Sequence, residues 1–259
     1  MSLLHDAFAR AKSENRAALI AYLPAGYPTE DGAVACIAAM VEGGVDIVEI
    51  GFPYSDPVMD GPTIQDAVNI SLEGGTKSAT VINTVKRVAE LGVPALVMSY
   101  WNPIERYGVD SFASDFHAAG GVGVITPDLT PEEAEEWILA TNSNDVDRVF
   151  LVALSSSDER IAKVANATTG FIYAGAVMGV TGARTSISDA IEGLVAKVRR
   201  HSDLPVAVGL GVSTPEQAHE IAQYADGVIV GSAFVTAIKK DGAAGAKALA
   251  QALSKGLAR

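Results

Sequence analysis

Val45-Asp46-Ile47-Val48-Glu49-Ile50-Gly51 runs directly into Phe52-Pro53-Tyr54-Ser55-Asp56-Pro57-Val58-Met59-Asp60-Gly61-Pro62-Thr63. The first stretch reads as a strand whose alternation puts Ile47 and Glu49 on one face and Val48 and Ile50 on the other. The second is longer than a simple strand-to-helix connection and is stiffened by three prolines. Outward from this junction the same rhythm repeats. Short apolar runs at 18–23, 47–50, 94–99, 123–125, 149–153, 170–174, 205–209 and 227–230 alternate with amphipathic stretches at 29–43, 78–91, 111–119, 131–141, 158–167, 188–200 and 214–223. That alternation signals a parallel sheet wrapped in helices, and eight strand candidates favour a closed ring over a doubly wound open sheet. The fold class is therefore α/β, a (β/α)8 TIM barrel. An amphipathic segment beginning Leu3-Leu4-His5-Asp6-Ala7-Phe8 is an extra N-terminal helix placed to plug the barrel floor, and residues 243–257 form the last outer helix. Two helix starts carry caps, Thr130-Pro131-Glu132-Glu133 and Ser213-Thr214-Pro215-Glu216.

The chain has 259 residues, 49% hydrophobic and 19% charged, which suits a single barrel domain over residues 1–259. No apolar run reaches membrane-spanning length and no basic stretch leads into an apolar segment near the start, so the expected location is cytoplasmic. A net charge of -12 disfavours nucleic acid and anionic membrane as partners, yet it leaves room for an anionic substrate held by backbone amides. The lone Cys36 sits in an apolar run and reads as a small buried hydrophobe.

In such barrels the chemistry is built where the strands end in the C-terminal direction. Glu49 is expected to point into the lumen near that rim. Desolvation there raises a carboxyl pKa and suits a group that both gives and takes a proton near neutrality, although a carboxylate bonded to a loop amide or water explains the position too. Asp46, ahead of the strand proper, reads as a solvated or capping group. The following loop carries Asp56 and Asp60; Asp60-Gly61-Pro62 taken alone also fits an ordinary turn.

The seventh strand candidate ends in Gly209-Leu210-Gly211-Val212-Ser213 and the eighth in Gly231-Ser232. Two glycine turns at these two strand ends fit a backbone cradle for a phosphate, completed by a short phosphate-binding helix after strand eight. A turn that needs positive φ explains either one singly. After the sixth candidate, residues 175–185 are rich in small residues and lack a clear amphipathic period, as in a mobile lid or an uneventful long loop. Arg184 near its end fits a phosphate contact or a solvated side chain.

No lysine falls at a strand end, which disfavours Schiff-base chemistry. The four histidines show no metal-ligand spacing, so no metal is expected. A carbon–carbon cleavage here needs a substrate that brings its own electron sink.

The seventeen residues from Glu49 to Gln65 (Glu49-Ile50-Gly51-Phe52-Pro53-Tyr54-Ser55-Asp56-Pro57-Val58-Met59-Asp60-Gly61-Pro62-Thr63-Ile64-Gln65) resemble the signature of the tryptophan synthase α-subunit family. Tyr22-Leu23-Pro24-Ala25-Gly26-Tyr27-Pro28, Tyr100-Trp101-Asn102-Pro103, Met178-Gly179-Val180-Thr181-Gly182 and the two glycine turns extend the likeness along the chain. The resemblance implies a lyase of tryptophan biosynthesis that splits indole-3-glycerol phosphate into indole and glyceraldehyde 3-phosphate. It implies Glu49 and Asp60 as the acid–base pair, with Tyr173 beside Glu49 and the substrate. It further implies a phosphate on the amides around Gly182, Gly211, Gly231 and Ser232, an aromatic pocket residue at Tyr22, and a lid closing through Thr181. The family works with a pyridoxal-phosphate-containing β subunit in an α2β2 assembly, so no cofactor of its own is implied. Tyr22, Tyr100-Trp101 and Thr126-Pro127-Asp128 depart from common family forms, which bears on the shape of the indole pocket. Two alternatives stand beside this reading: a mainly regulatory barrel subunit that activates a β partner, and another phosphate-binding barrel enzyme.

Overall fold

The computed structural model describes residues 3–175 and 184–259. In chain order the strands are β1 (Ala18–Pro24), β2 (Ile47–Gly51), β3 (Ala95–Met98), β4 (Gly123–Ile125), β5 (Asp147–Val149), β6 (Leu151–Ala153), β7 (Ile172–Gly175), β8 (Val206–Gly209) and β9 (Gly227–Val230). The helices are α1 (Leu3–Ser13), α2 (Glu30–Glu42), α3 (Pro62–Glu73), α4 (Ser78–Ala89), α5 (Trp101–Tyr107) and α6 (Val109–Ala118). They continue as α7 (Glu135–Ser143), α8 (Asp158–Ala167), α9 (Arg184–Val198), α10 (Pro215–Ala222) and α11 (Ser232–Gly256). Every strand pairing is parallel, in the order β5-β4-β3-β2-β1-β9-β8-β7-β6. The two ends of that order are consecutive in sequence, separated only by Phe150. Phe150 accepts a hydrogen bond from the Tyr173 N–H at 3.2 Å on one side, and neighbouring Val149 accepts from Thr126 N–H at 3.3 Å on the other. β5 and β6 are therefore two halves of one barrel strand, and the ring has the eight positions expected.

Burial on both faces explains why β1 and β2 read as almost continuous apolar runs: every residue of each is buried. Alternation then divides their side chains between two cores. One lies between the sheet and the helices and takes Val48, Ile50 and Val97. The other fills the barrel and takes Ile20, Ile47, Leu96, Ile125, Val149 and Ile229. Leu4 and Phe8 of α1 join the inner core, with Phe8 against Phe171 at a ring separation of 5.6 Å, so α1 stops the barrel floor as its amphipathic pattern suggested.

Local chemistry sets several boundaries. The Thr29 hydroxyl accepts from Gly32 N–H at 3.0 Å and starts α2, while Thr214, followed by Pro215, caps α10 through Gln217 N–H at 3.3 Å. The cap expected at Thr130 does not start a helix. Its hydroxyl donates to the Glu133 carboxylate at 2.9 Å within a turn, and α7 begins at Glu135. α11 is interrupted at Asp241 and Gly242, whose φ is 58°. The break separates a short helix opening at Ser232, directly after β9, from the outer helix that ends the chain.

Asp46 corrects another expectation. It is buried, not solvated, because Arg16 grips both of its oxygens at 2.6 and 2.8 Å and Leu19 N–H donates to it at 2.9 Å. The pair ties the start of β2 to the start of β1 on the side away from the mouth. Among the described residues no helix is long and apolar enough to cross a membrane.

Candidate active site

Because all strands run the same way, their C-terminal ends ring one mouth, and a cavity of about 590 Å3 opens there. Its wall includes Glu49 of β2, Tyr22 of β1, Tyr173 of β7, and Asp60 from the loop over residues 52–61. Gly211, Gly231 and Ser232 lie on the same wall. Seven of the nine site residues expected from sequence thus share one hollow. The other two, Thr181 and Gly182, lie outside the described residues.

Glu49 stands between register partners Tyr22 on β1 and Leu96 on β3. Its side chain faces inward, as Ile47 does two residues earlier, and it is 1% exposed. Oε2 is buried with no hydrogen-bond partner among the described residues. A carboxylate in that state costs several kcal/mol to keep charged, so the group answers by holding its proton. Burial first and the charge of Asp60 second push its pKa up to about 8. At neutral pH Glu49 is a protonated acid aimed into a cavity.

Asp60 is placed by the residues on either side of it. Gly61, the N-cap of α3, and Pro62 start that helix immediately after it, so the loop ends sooner than the sequence reading had it. The Gln65 side-chain amide donates to the Asp60 backbone carbonyl at 2.7 Å. Burial raises the Asp60 carboxyl, and a hydrogen bond from Tyr100 opposes the rise. Tyr22 and Tyr173 both face these two acids; burial leads in lifting each phenol well above its ordinary value, with the two carboxylates adding to it. Both tyrosines stay neutral and serve as hydrogen-bond groups rather than bases.

Two glycines make space for the phenols. A Cβ at Gly51 would collide with the Tyr22 hydroxyl, and one at Gly209 would collide with the Tyr173 hydroxyl. Gly211 is required for a different reason: its φ is +68°, with open space around it. Across the mouth, β9 passes through Gly231 into α11, whose first helical bond is Val235 N–H to Gly231 O at 3.2 Å. The amides ahead of it have no partner within the helix, and they open beside the cavity. Met98, Leu151, Leu210 and Ile229 supply an apolar wall of the kind a flat aromatic ring needs. Among the described residues no three or more His, Cys, Asp or Glu gather as a metal site.

Tyr100 and Gln65 are site residues that the sequence reading did not single out for a role. Tyr100 lies two residues past the end of β3, where the strand-end rule could have found it. No local pattern marks Gln65, because its partner is a backbone carbonyl.

A closed ring of parallel strands with a buried acid, a second carboxylate and glycine turns at one mouth defines a β/α-barrel enzyme acting on a small molecule. The family described as tryptophan synthase alpha chain matches residues 8–257. A tryptophan synthase alpha chain from Nocardia farcinica is 54% identical over 256 residues, covering 99% of this chain and 96% of that protein. A counterpart from Thermobifida fusca is 54% identical over 237 residues, covering 90% and 88%. Among solved structures, Mycobacterium tuberculosis tryptophan synthase superposes with a TM-score of 0.94 at 51% identity, covering 99% of this chain and 98% of that one. The alpha subunit from Legionella pneumophila superposes at 0.90 with 30% identity, covering 99% and 98%. The chain belongs to the tryptophan synthase alpha chain family.

Proposed function

We propose that this chain cleaves indole-3-glycerol phosphate to indole and glyceraldehyde 3-phosphate, as the α subunit of tryptophan synthase in tryptophan biosynthesis. The observation that carries this is Glu49: a buried acid, protonated up to about pH 8, in a cavity it shares with Asp60 and two glycine turns.

The substrate phosphate sits at the opening of α11, on the amides near Gly211, Gly231 and Ser232, with Gly182 and Thr181 contributing from the segment after β7. The indole ring lies toward the apolar wall. Protonated Glu49 gives its proton to the ring carbon that bears the glycerol chain, which makes the ring a cationic electron sink. Asp60, as the anion, accepts the indole N–H and stabilises that cation. The carbon–carbon bond breaks toward the ring and restores its aromaticity. Glu49, now a carboxylate, takes the proton of the adjacent hydroxyl as the aldehyde forms. Proton and electron pair balance with no redox partner. Tyr173 orients Glu49 and the chain, and Tyr22 packs the ring.

One domain over residues 1–259 carries the reaction, and the expected compartment is the cytoplasm. A Mycobacterium tuberculosis neighbour at 48% identity is a tryptophan synthase in an aminoacrylate-bound form. In keeping with it, the partner here is a β subunit, joined in an α2β2 assembly. Pyridoxal phosphate belongs to that subunit, and this chain carries no cofactor of its own.

The test is to incubate the purified chain with indole-3-glycerol phosphate, alone and with a β subunit, and follow indole. Indole released by the chain alone, and faster with the partner, is the expected result. No indole under either condition contradicts the proposal.

A further inference from the structure

Tyr100 is almost fully buried, yet neither the fold nor the proposed chemistry has used it. It follows β3 as the N-cap residue of α5, but its side chain caps nothing there. Instead it reaches across to the loop after β2 and meets it at three residues. Its ring packs on Tyr54 with centroids 5.6 Å apart. Its hydroxyl accepts a hydrogen bond from Met59 N–H at 3.0 Å. The same hydroxyl faces the carboxylate of the next residue, Asp60.

The direction of the first hydrogen bond fixes the second. A phenol has one hydrogen and two acceptor lone pairs. Since Met59 N–H occupies a lone pair, the hydrogen remains to be donated, and a carboxylate can only accept. We infer that Tyr100 is a positioning residue that donates its hydroxyl hydrogen to Asp60, selecting Asp60 as the anion of the pair so that Glu49 keeps the proton.

Three phenols lie near Asp60, and of these Tyr100 is the one that hydrogen-bonds to its carboxyl, whereas Tyr22 and Tyr173 feel only its charge. The titratable groups facing Asp60 are Glu49 from β2, Tyr22 from β1, Tyr173 from β7 and Tyr100 itself. Among the described residues no cation forms an ion pair with it. Burial favours the neutral acid at both carboxyls, and their mutual repulsion opposes ionising both. A fixed donor at one of them breaks that tie. The expected consequence is a division of labour in which the neutral member protonates the ring and the charged member receives the cation.

This inference rests on the acid–base reading proposed above, and a pH profile of indole release by the full-length chain separates the two. Tyr100→Phe removes the donor and keeps the ring. The Asp60 pKa then rises, so activity that depends on its anion is lost earlier as pH falls. The acidic limb of kcat/KM is expected to move up by about half a unit or more, with kcat down about tenfold and KM changed less than about threefold. Fluorotyrosine at position 100, a stronger donor with the same shape, is expected to move the limb the opposite way. In an Asp60→Asn background, Tyr100→Phe is expected to add no further shift. An acidic limb unchanged by Tyr100→Phe, while Asp60→Asn is impaired, overturns the inference alone. Wild-type turnover in Asp60→Asn itself overturns the acid–base reading and this inference with it.

Discussion

Asp60 faces Glu49 across the cavity, and its charge adds to burial in lifting the Glu49 carboxyl up to about 8. The two acids therefore titrate as a pair, and a change at one is read out at the other. The form of Glu49 that starts the reaction is the protonated one, so kcat/KM should fall as pH rises through about 8. Asp60→Asn removes the repelling charge and leaves burial. Its alkaline limb should lie at lower pH than in the wild type, on top of a large loss of rate. A pH series of indole release checks this, and an alkaline limb unchanged by Asp60→Asn would break the electrostatic link between the two groups.

Stability should show the same buried acid. Its pKa is higher in the folded chain than the ordinary 4.5, so the folded state holds a proton that the unfolded state has released between those values. Stability therefore declines as pH rises through that window and is lowest, as far as this group is concerned, above about 8. Glu49→Gln removes the titration. The variant should be more stable than the wild type by a few kcal/mol, roughly, at pH 9 and nearly equal to it at pH 4. Thermal melts at the two pH values measure the difference; a variant less stable at pH 9 would mean that Glu49 is not desolvated as described.

Gly209 at the end of β8 and Gly211 in the turn after it should fail in different ways. Gly209→Ala drives a methyl into the Tyr173 hydroxyl, so the phenol must move and the cavity changes shape. Gly211→Ala meets no atom, but it puts an L side chain at φ +68°, at a cost of about 1–2 kcal/mol. Turnover of bound substrate should suffer in Gly209→Ala, whereas Gly211→Ala should chiefly raise KM through the phosphate. Steady-state kinetics on both variants tests this; identical kcat and KM profiles would argue against separate roles.

These relationships differ in how far a reader of the sequence alone can see them. Alternation placed Glu49 and Ile47 on one inner face, and eight apolar runs placed eight strands, because burial on both sides of a parallel strand writes itself into consecutive residues. The glycine turns at the ends of β8 and β9 were visible for the same local reason. α3 goes unseen in the sequence, and its first two residues read as part of the preceding loop, since Gly61 gives it no side-chain cap. α5 is only seven residues long, too short for its periodicity to stand out. Asp46 looked solvated because the arginine that buries it lies thirty residues earlier in the chain. Tyr100 was visible as a departure from family form, but its bond to Met59 spans 41 residues, and no local pattern encodes such a pairing.

Whether the acid at position 49 moves the proton is decided most directly by Glu49→Gln, which keeps the shape of the side chain and removes its acid–base function. Indole formation should be followed in a single turnover, with substrate binding measured in parallel. The expected result is a folded variant that binds indole-3-glycerol phosphate and releases indole roughly 10² to 10⁴-fold more slowly. Release at close to the wild-type rate, with the substrate equally well bound, would contradict the account.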